Sequence, residues 1–358
     1  MNAVGAARFE TYDLETAAYD YDLPPELIAQ TPLDRRDESR LMILDKESGA
    51  ISHSQIKDLE NWLTPGDLLV ANNSRVIPAR LRGVRKPSGG AVELLLLRSE
   101  GGVWRALGRP AKKLQPGSWL EFASIKQSIA PARAIVEANI GDGEILVRFE
   151  EAADDHLCDY GLAPLPPYIT NPLIDGDRYQ TVYGSVPGSA AAPTAGLHFT
   201  GGLIASLRAQ GIGWTEVTLH VGLDTFRPVA VDLIKDHRIH QEWCEVSVDV
   251  ASEIARCRLR GGRVVAVGTT AARALETVGN VWRDEKFEAF AGMTDTFIVP
   301  GHRWLVVDAL LTNFHLPRSS LLMMVSALAG RESILGAYAE AIQEKYRFYS
   351  LGDAMMIR

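Results

Sequence analysis

Three histidines stand where a fold could bring them to chemistry. His198, His220 and His315 each close a strand-like segment beside Gly, Pro or Asn, positions from which loops deliver side chains to a cleft. Imidazole titrates near neutrality, so the trio could share one pocket and move protons there. A hydrogen-bonded structural role stays open for each one alone. His237 and His240, in HRIHQEW, are spaced i,i+3 with Glu242 close by. On a helix they could hold a metal, and a metal hydrolase is one reading, but no third ligand falls at a fixed distance and HExxH is absent. Glu242 could instead serve as a general base or hold a ligand hydroxyl. Arg227 before Pro228 and Arg318 after Pro317 could clamp a carboxylate or a phosphate, or form structural ion pairs. The cysteines Cys158, Cys244 and Cys257 show no CxxC spacing and no nucleophile context, and GxSxG is missing. Covalent catalysis, a disulfide framework and a zinc site are therefore not indicated.

The stretch GSAAAPTAGLHFT, Gly188 to Thr200, carries no charged residue and no long polar one. Such small residues allow a backbone to come close to something flat or bulky. The GGLIASLRAQG that follows reads as a short helix with Thr200 as N-cap and Gly211 as stop, so free N–H groups could face an anion. A tight core-facing turn is the alternative.

Net charge is −8, which argues against nucleic acid, but the distribution does not. From Arg75 to Lys113 ten basic residues, among them Arg105, Arg109, Lys112 and Lys113, face two acidic ones; the segment is +8 and the remainder −16. A block of one sign inside a chain of the other could bind phosphate, or lie scattered over a solvated β-surface.

The elements that must position these residues fall into two textures. VIPARLRGV, AVELLLLR, VWRAL, SWLEFA, ARAIVEANI and EILVRFE are short, β-forming and separated by turns. They predict an all-β module, barrel or sandwich, over 72–150, inserted into a larger α/β domain made of 1–71 and 151–358, with 1–18 as a loose tail. In the α/β part, strands are expected at Leu41–Leu44, Leu68–Ala71, Glu216–Val221, Arg263–Val267, Thr296–Val299 and Trp304–Val307. Helices are expected at Gln55–Leu63, from an Asp249 cap to Leu259, from GTTAARALET, from a Ser319 cap to Gly330 and from Glu332 to about Tyr346, with a final strand in RFYSLGDAMMIR. Strand, GTT, helix is a βα junction of the kind that binds ligands, without GxGxxG or a P-loop lysine. The apolar run Leu321–Gly330 is too short to cross a bilayer, and MNAVGAARFE does not resemble a secretory signal; a cytoplasmic protein is expected.

Several of these strings together resemble the S-adenosylmethionine:tRNA ribosyltransferase-isomerase family of queuosine biosynthesis. They are YDLPPELIAQTPLDRRDESRLMILD, NNSRVIPARL, GSAAAPTAGLHFT, HVGLDTFRPV, HRIHQEW, VGTTAARALE, DALLTNFHLPRSSLLMMVSALAG and RFYSLGDAMMI, running from Tyr21 to the C-terminus. The resemblance implies an α/β domain with an all-β insertion. It implies transfer of the ribosyl part of S-adenosylmethionine to 7-aminomethyl-7-deazaguanine in a tRNA anticodon loop, giving epoxyqueuosine with release of adenine and methionine. No metal, second cofactor, membrane or obligate protein partner is implied. By motif it places His198, His220 and His315 in or beside the pocket with Thr194 and Gly196 lining it. It gives Arg227, Asn313 and Thr269 the substrate's polar groups, Asp308 and Glu242 lesser roles, and Asn73 and Arg75 an RNA-facing position. Three residues depart from the family's habit: Asp224 where Gly is usual, Leu351 where an aromatic is common, and Ala190 where Val is frequent. A second reading is an inactive RNA-binding relative that has kept the fold.

Overall fold

The computed structural model describes residues 15–125, 129–150, 157–171, 175–222, 228–282 and 286–358, without the side chains of Arg98, Glu100 and Cys158. In chain order the strands are β1 (Arg40–Leu44), β2 (Ile51–Gln55), β3 (Leu68–Asn72), β4 (Ser74–Val76), β5 (Arg80–Lys86), β6 (Ala91–Glu100), β7 (Val103–Arg109), β8 (Trp119–Phe122), β9 (Ala132–Gly141) and β10 (Glu144–Phe149). Then come β11 (Gly161–Leu162), β12 (Val186–Ser189), β13 (Gly213–Leu219), β14 (Glu242–Val246), β15 (Val264–Val267), β16 (Phe290–Thr294), β17 (Ala309–Asn313) and β18 (Ala354–Ile357). The α-helices are α1 (Gly201–Ala209), α2 (Val248–Leu259), α3 (Thr269–Val281), α4 (Ser320–Ala329) and α5 (Arg331–Gln343).

A nine-stranded mixed sheet runs in the order β16-β14-β13-β3-β15-β17-β18-β1-β2. Its centre, β13, β3, β15 and β17, is parallel. The sequence explains this centre: LLVA, VVAV and ALL are apolar at every position, as strands covered on both faces must be. Leu68, Val70, Val264, Ala266 and Leu310 pack with α2, α3, α4 and α5 on one face. Leu69, Ala71, Val265, Val267 and Leu311 pack on the other with Leu203 and Leu207 of α1 and the 3-10 turns of Ile56–Trp62.

Strands β5 to β10 form an antiparallel sheet that closes through pairing of β5 with β8, a six-stranded barrel around Leu81, Leu94, Leu96, Phe122, Val136, Ile145 and Val147. The sheet also takes β11, which lies beyond residue 150.

Several expectations are corrected. Trp304–Val307 is rich in β-formers but is no strand: the backbone N–H groups of Leu305, Val306 and Val307 all donate to the fully buried Glu276 carboxylate on α3. Thr296–Val299 is likewise irregular, and the strand lies earlier, at β16. Ser247, not Asp249, caps α2, accepting from the Val250 N–H at 3.3 Å. Within the expected tail, Thr16 is buried and its N–H donates to the Asp232 carbonyl. Ile51–Gln55 and Glu242–Val246 are strands that the pattern does not announce, the first half-exposed and the second beginning at a buried charge.

Candidate functional site

Parallel β15 and β17 end side by side, and the chain turns at both carboxyl ends to wall a cavity of about 590 Å³, open mouth included. After β15, Gly268 at φ +91° swings the backbone directly into α3, so Thr269 and Thr270 start the helix on the cavity wall. The first N–H groups of such a helix lack intrahelical partners. After β17, Thr312 to Leu316 form the opposite wall. Ala192 to Ala195 close it from the small-residue stretch, and Tyr168 and Tyr349 from two further loops, their rings 4.8 Å apart. Asn72, at the end of β3, ties this edge together through Nδ2 to the Leu219 carbonyl and to Thr270 Oγ1.

The composition of GSAAAPTAGLHFT now has specific causes. Gly188 sits at φ +142°, and a Cβ there would stand 2.7 Å from the His220 ring. Ser189 is buried and bridges two turns, donating to the Ala191 carbonyl and accepting from the Val221 N–H. A Cβ on Gly196 would lie 2.0 Å from Tyr183 Oη, so that glycine serves close packing and does not line the cavity.

Thr194 and Asn313 on the wall join His198 behind it in a chain of bonds. Thr194 Oγ1 donates to Asn313 Oδ1 at 2.8 Å, and Asn313 Nδ2 donates to His198 Nε2 at 3.1 Å. His198 is therefore neutral with its proton on Nδ1. Burial, then Arg347 and Arg36, push its pKa down to about 4. His315 faces the cavity; Nε2 meets Thr312 Oγ1 at 2.9 Å, and burial pushes it down to about 3. Its peptide is gripped on both sides, the N–H by Tyr338 Oη and the carbonyl by the Tyr21 hydroxyl.

The three histidines do not share one pocket. His315 alone lines the cavity; His198 stands behind Asn313 and opens on a smaller recess beside Arg36, Arg178 and Leu351. His220 stacks on Trp243 with rings 5.2 Å apart, and its half-buried imidazole, pushed down by burial, leaves Nδ1 unpartnered. Thr194, Thr269 and Asn313 line the cavity. Asp308 is not: it precedes β17 at the sheet's other end, where Oδ2 accepts from the Val264 N–H at 2.8 Å. Arg227 and Asp224 lie outside the described residues.

A second cavity of about 840 Å³, open mouth included, adjoins the first across Leu321. His237 and His240 line it from a loop, not from a helix, together with Glu242 and Arg273. His237 is pushed down by burial and by His240. Glu242 is tied to Arg273 in a buried ion pair and accepts from the Gly222 N–H at 2.7 Å. Among the described residues no three His, Cys, Asp or Glu side chains form a metal-type cluster. Cys244 and Cys257 are free and buried.

The basic block behaves in two ways. Arg105 pairs with Glu144 at 2.8 Å, Lys86 with Glu121 at 2.8 Å and Arg82 with Glu93 at 3.2 Å, so part of the charge is neutralised across strands. Arg109, Lys112 and Lys113 are exposed at one end of the barrel and make no ion pair among the described residues. Arg75 is half-exposed near Asp177 at 3.6 Å. Asn73 is spent internally, its Oδ1 accepting from Thr218 Oγ1 at 2.8 Å.

Sequence reasoning missed Arg273, Tyr168, Ser319 and Ser350 as wall residues. Arg273 lies four residues after Thr269 in VGTTAARALE, one helical turn along, which is the signal that could have found it.

A doubly covered sheet with two adjoining cavities, together with a closed six-stranded barrel bearing exposed cations, defines a mixed α/β protein with a barrel. The family described as queuosine biosynthesis protein matches residues 16–357, and the chain belongs to it. Two curated relatives bear the name S-adenosylmethionine:tRNA ribosyltransferase-isomerase. The one from Acetivibrio thermocellus is 48% identical over 348 residues and that from Heliobacterium modesticaldum 50% over 349; each alignment spans 96% of this chain and 100% of the relative. A crystal structure of S-adenosylmethionine tRNA ribosyltransferase from Thermotoga maritima is 38% identical, with a TM-score of 0.55, covering 95% of this chain and 100% of that one. Among the described residues no single helix is long and apolar enough to cross a membrane.

Proposed function

We propose that the protein is a cytoplasmic S-adenosylmethionine:tRNA ribosyltransferase-isomerase of queuosine biosynthesis, a transferase. It moves the ribosyl moiety of S-adenosylmethionine onto 7-aminomethyl-7-deazaguanine in a tRNA anticodon loop. Adenine and methionine leave, and neither a metal, a second cofactor nor an obligate protein partner takes part. The observation that carries this reading is the full-length match to relatives of that name at about half identity, joined to a cavity whose wall is chemically suited to a nucleoside.

The suitability is physical. Tyr168, Phe314 and Tyr349 give the cavity aromatic surface for a purine, and Thr194, Thr269, Thr270 and Thr312 give hydroxyls for a ribose. The sulfonium acidifies the adjacent C5′–H, so a base must stand near it, while departing adenine must gain a proton or a hydrogen bond. His315, neutral in the cavity wall, is the proton-handling group nearest that chemistry; His198 acts behind it as the acceptor that fixes the Asn313 amide. The chain is organised as a discontinuous catalytic α/β domain, 1–71 and 151–358, with the segment 72–150, which carries the barrel strands, inserted to meet the tRNA; β4 and β11 cross that boundary to pair with β12 and β5. An anticodon base is unstacked and enters a pocket only if the backbone is held, a task for the exposed Arg109, Lys112 and Lys113.

The test is incubation with S-adenosylmethionine and tRNA bearing 7-aminomethyl-7-deazaguanine, followed by nucleoside mass analysis. Epoxyqueuosine with equimolar adenine is expected. No product beside an active control enzyme would overturn the assignment.

A further inference from the structure

Arg273 has one donor that no described residue uses. The side chain is 3% exposed on α3. Its Nη1 meets Glu242 and its Nε donates to the Thr296 carbonyl at 3.2 Å, while Nη2 is buried without a partner among the described residues. A guanidinium N–H left unsatisfied away from water is costly, and a ligand oxygen would remove that cost. The arginine lines the second cavity, whose remaining wall is largely apolar through Val231, Ile239, Phe297 and Met324. Glu242 places an acid beside the arginine. A cation for a carboxylate, an acid for an ammonium, and apolar surface for a thioether chain together match an α-amino acid with a sulfur-bearing side chain.

We propose that the second cavity holds the methionyl tail of S-adenosylmethionine, with Arg273 Nη2 donating to its α-carboxylate and Glu242 facing its ammonium. This rests on the reading of the protein as a transferase that consumes S-adenosylmethionine. The nucleoside occupies the first cavity, the tail the second, and the sulfonium sits near Leu321, which both share. Arg273 is then a specificity-determining residue: it separates the full substrate from nucleosides that lack the amino acid. It also gives the released methionine a place distinct from that of adenine.

The experiment is titration calorimetry of the full chain with two probes, S-adenosylmethionine and 5′-methylthioadenosine, which keeps the nucleoside and thioether but has no amino-acid tail. Arg273→Gln should weaken S-adenosylmethionine at least tenfold and change 5′-methylthioadenosine less than twofold, and Arg273→Lys should fall between. Because the single change strands Glu242, the double variant E242Q/R273Q is measured alongside, with thermal melts to show that each protein is folded. A folded R273Q or double variant that binds S-adenosylmethionine like the wild type overturns the proposal, as does equal weakening of both probes. If R273Q weakens tRNA binding and spares S-adenosylmethionine, the ligand oxygen belongs to a phosphate and the proposal is wrong. Wild-type protein that binds neither probe would instead bring down the transferase reading on which the subsite rests.

Discussion

Acid should destabilise this protein through His198 and His315 before its carboxylates matter. In the unfolded chain each imidazole titrates near 6.5. In the folded protein burial holds His198 down to about 4, with Arg347 and Arg36 adding to the effect, and His315 down to about 3. Between those values and 6.5 the unfolded state binds more protons, so stability rises with pH across that window and falls as pH drops through 6.5. At pH 5 each histidine has been displaced over roughly 1.5 units at 1.36 kcal/mol per unit, a loss of about 2 kcal/mol each and about 4 for the pair. The perturbations are His198→Asn and His315→Gln, neither of which can be protonated in this range. The assay is urea unfolding from pH 5 to pH 7, followed by fluorescence and circular dichroism together so that coincident transitions establish two-state behaviour. His220 and His237, also pushed down by burial, are present in every variant and cancel in the comparison. Each substitution should lessen the drop between pH 7 and pH 5 by about 2 kcal/mol, whatever it does to absolute stability. Parallel curves for wild type and both variants would refute the claim that these imidazoles are buried and neutral.

Gly196→Ala puts a methyl group 2.0 Å from Tyr183 Oη and 2.9 Å from Thr181 Cγ2, and should cost about 1–3 kcal/mol by overpacking. Tyr183→Phe removes a buried hydroxyl that has no partner among the described residues, so it should be neutral or stabilising and should rescue part of G196A; strictly additive melting temperatures would refute this contact. On the barrel, replacing Arg109, Lys112 and Lys113 with Ala should weaken tRNA binding and lower the slope of log K against log salt by roughly 2–3, with S-adenosylmethionine affinity unchanged. Arg105→Ala, already paired with Glu144, should do far less, and equal effects from the two sets would place the RNA elsewhere.

The parts of the fold that show in the sequence are those set by burial along a single element. VVAV and LLVA read as strands covered on both faces because no residue in them tolerates water, and the barrel's short β-forming runs read as strands for the corresponding reason on one face. Residues whose surroundings come from distant segments do not show. Trp304–Val307 has the composition of a strand, but its N–H groups meet a carboxylate thirty residues away in sequence before any neighbouring strand can take them. His220 and His315 stand just past strands β13 and β17 as expected, whereas His198 ends a 3-10 turn, Thr194–His198, and spacing along a chain does not say which way a loop turns. His220 turns to Trp243, His198 to Asn313, and only His315 to the cavity. Arg273 escaped notice because a lone arginine in an alanine-rich helix has the look of a solvated charge. What makes it a buried donor is Glu242 and Thr296, delivered by a strand and a loop that the helix itself does not specify. The site's chemistry thus lies in pairings between elements. Small residues in GSAAAPTAGLHFT mark where those elements must approach, and Thr194, Asn313 and Thr312 reach the first cavity with side-chain atoms already bonded to one another or to a histidine, whereas Arg273 Nη2 is buried without a partner among the described residues.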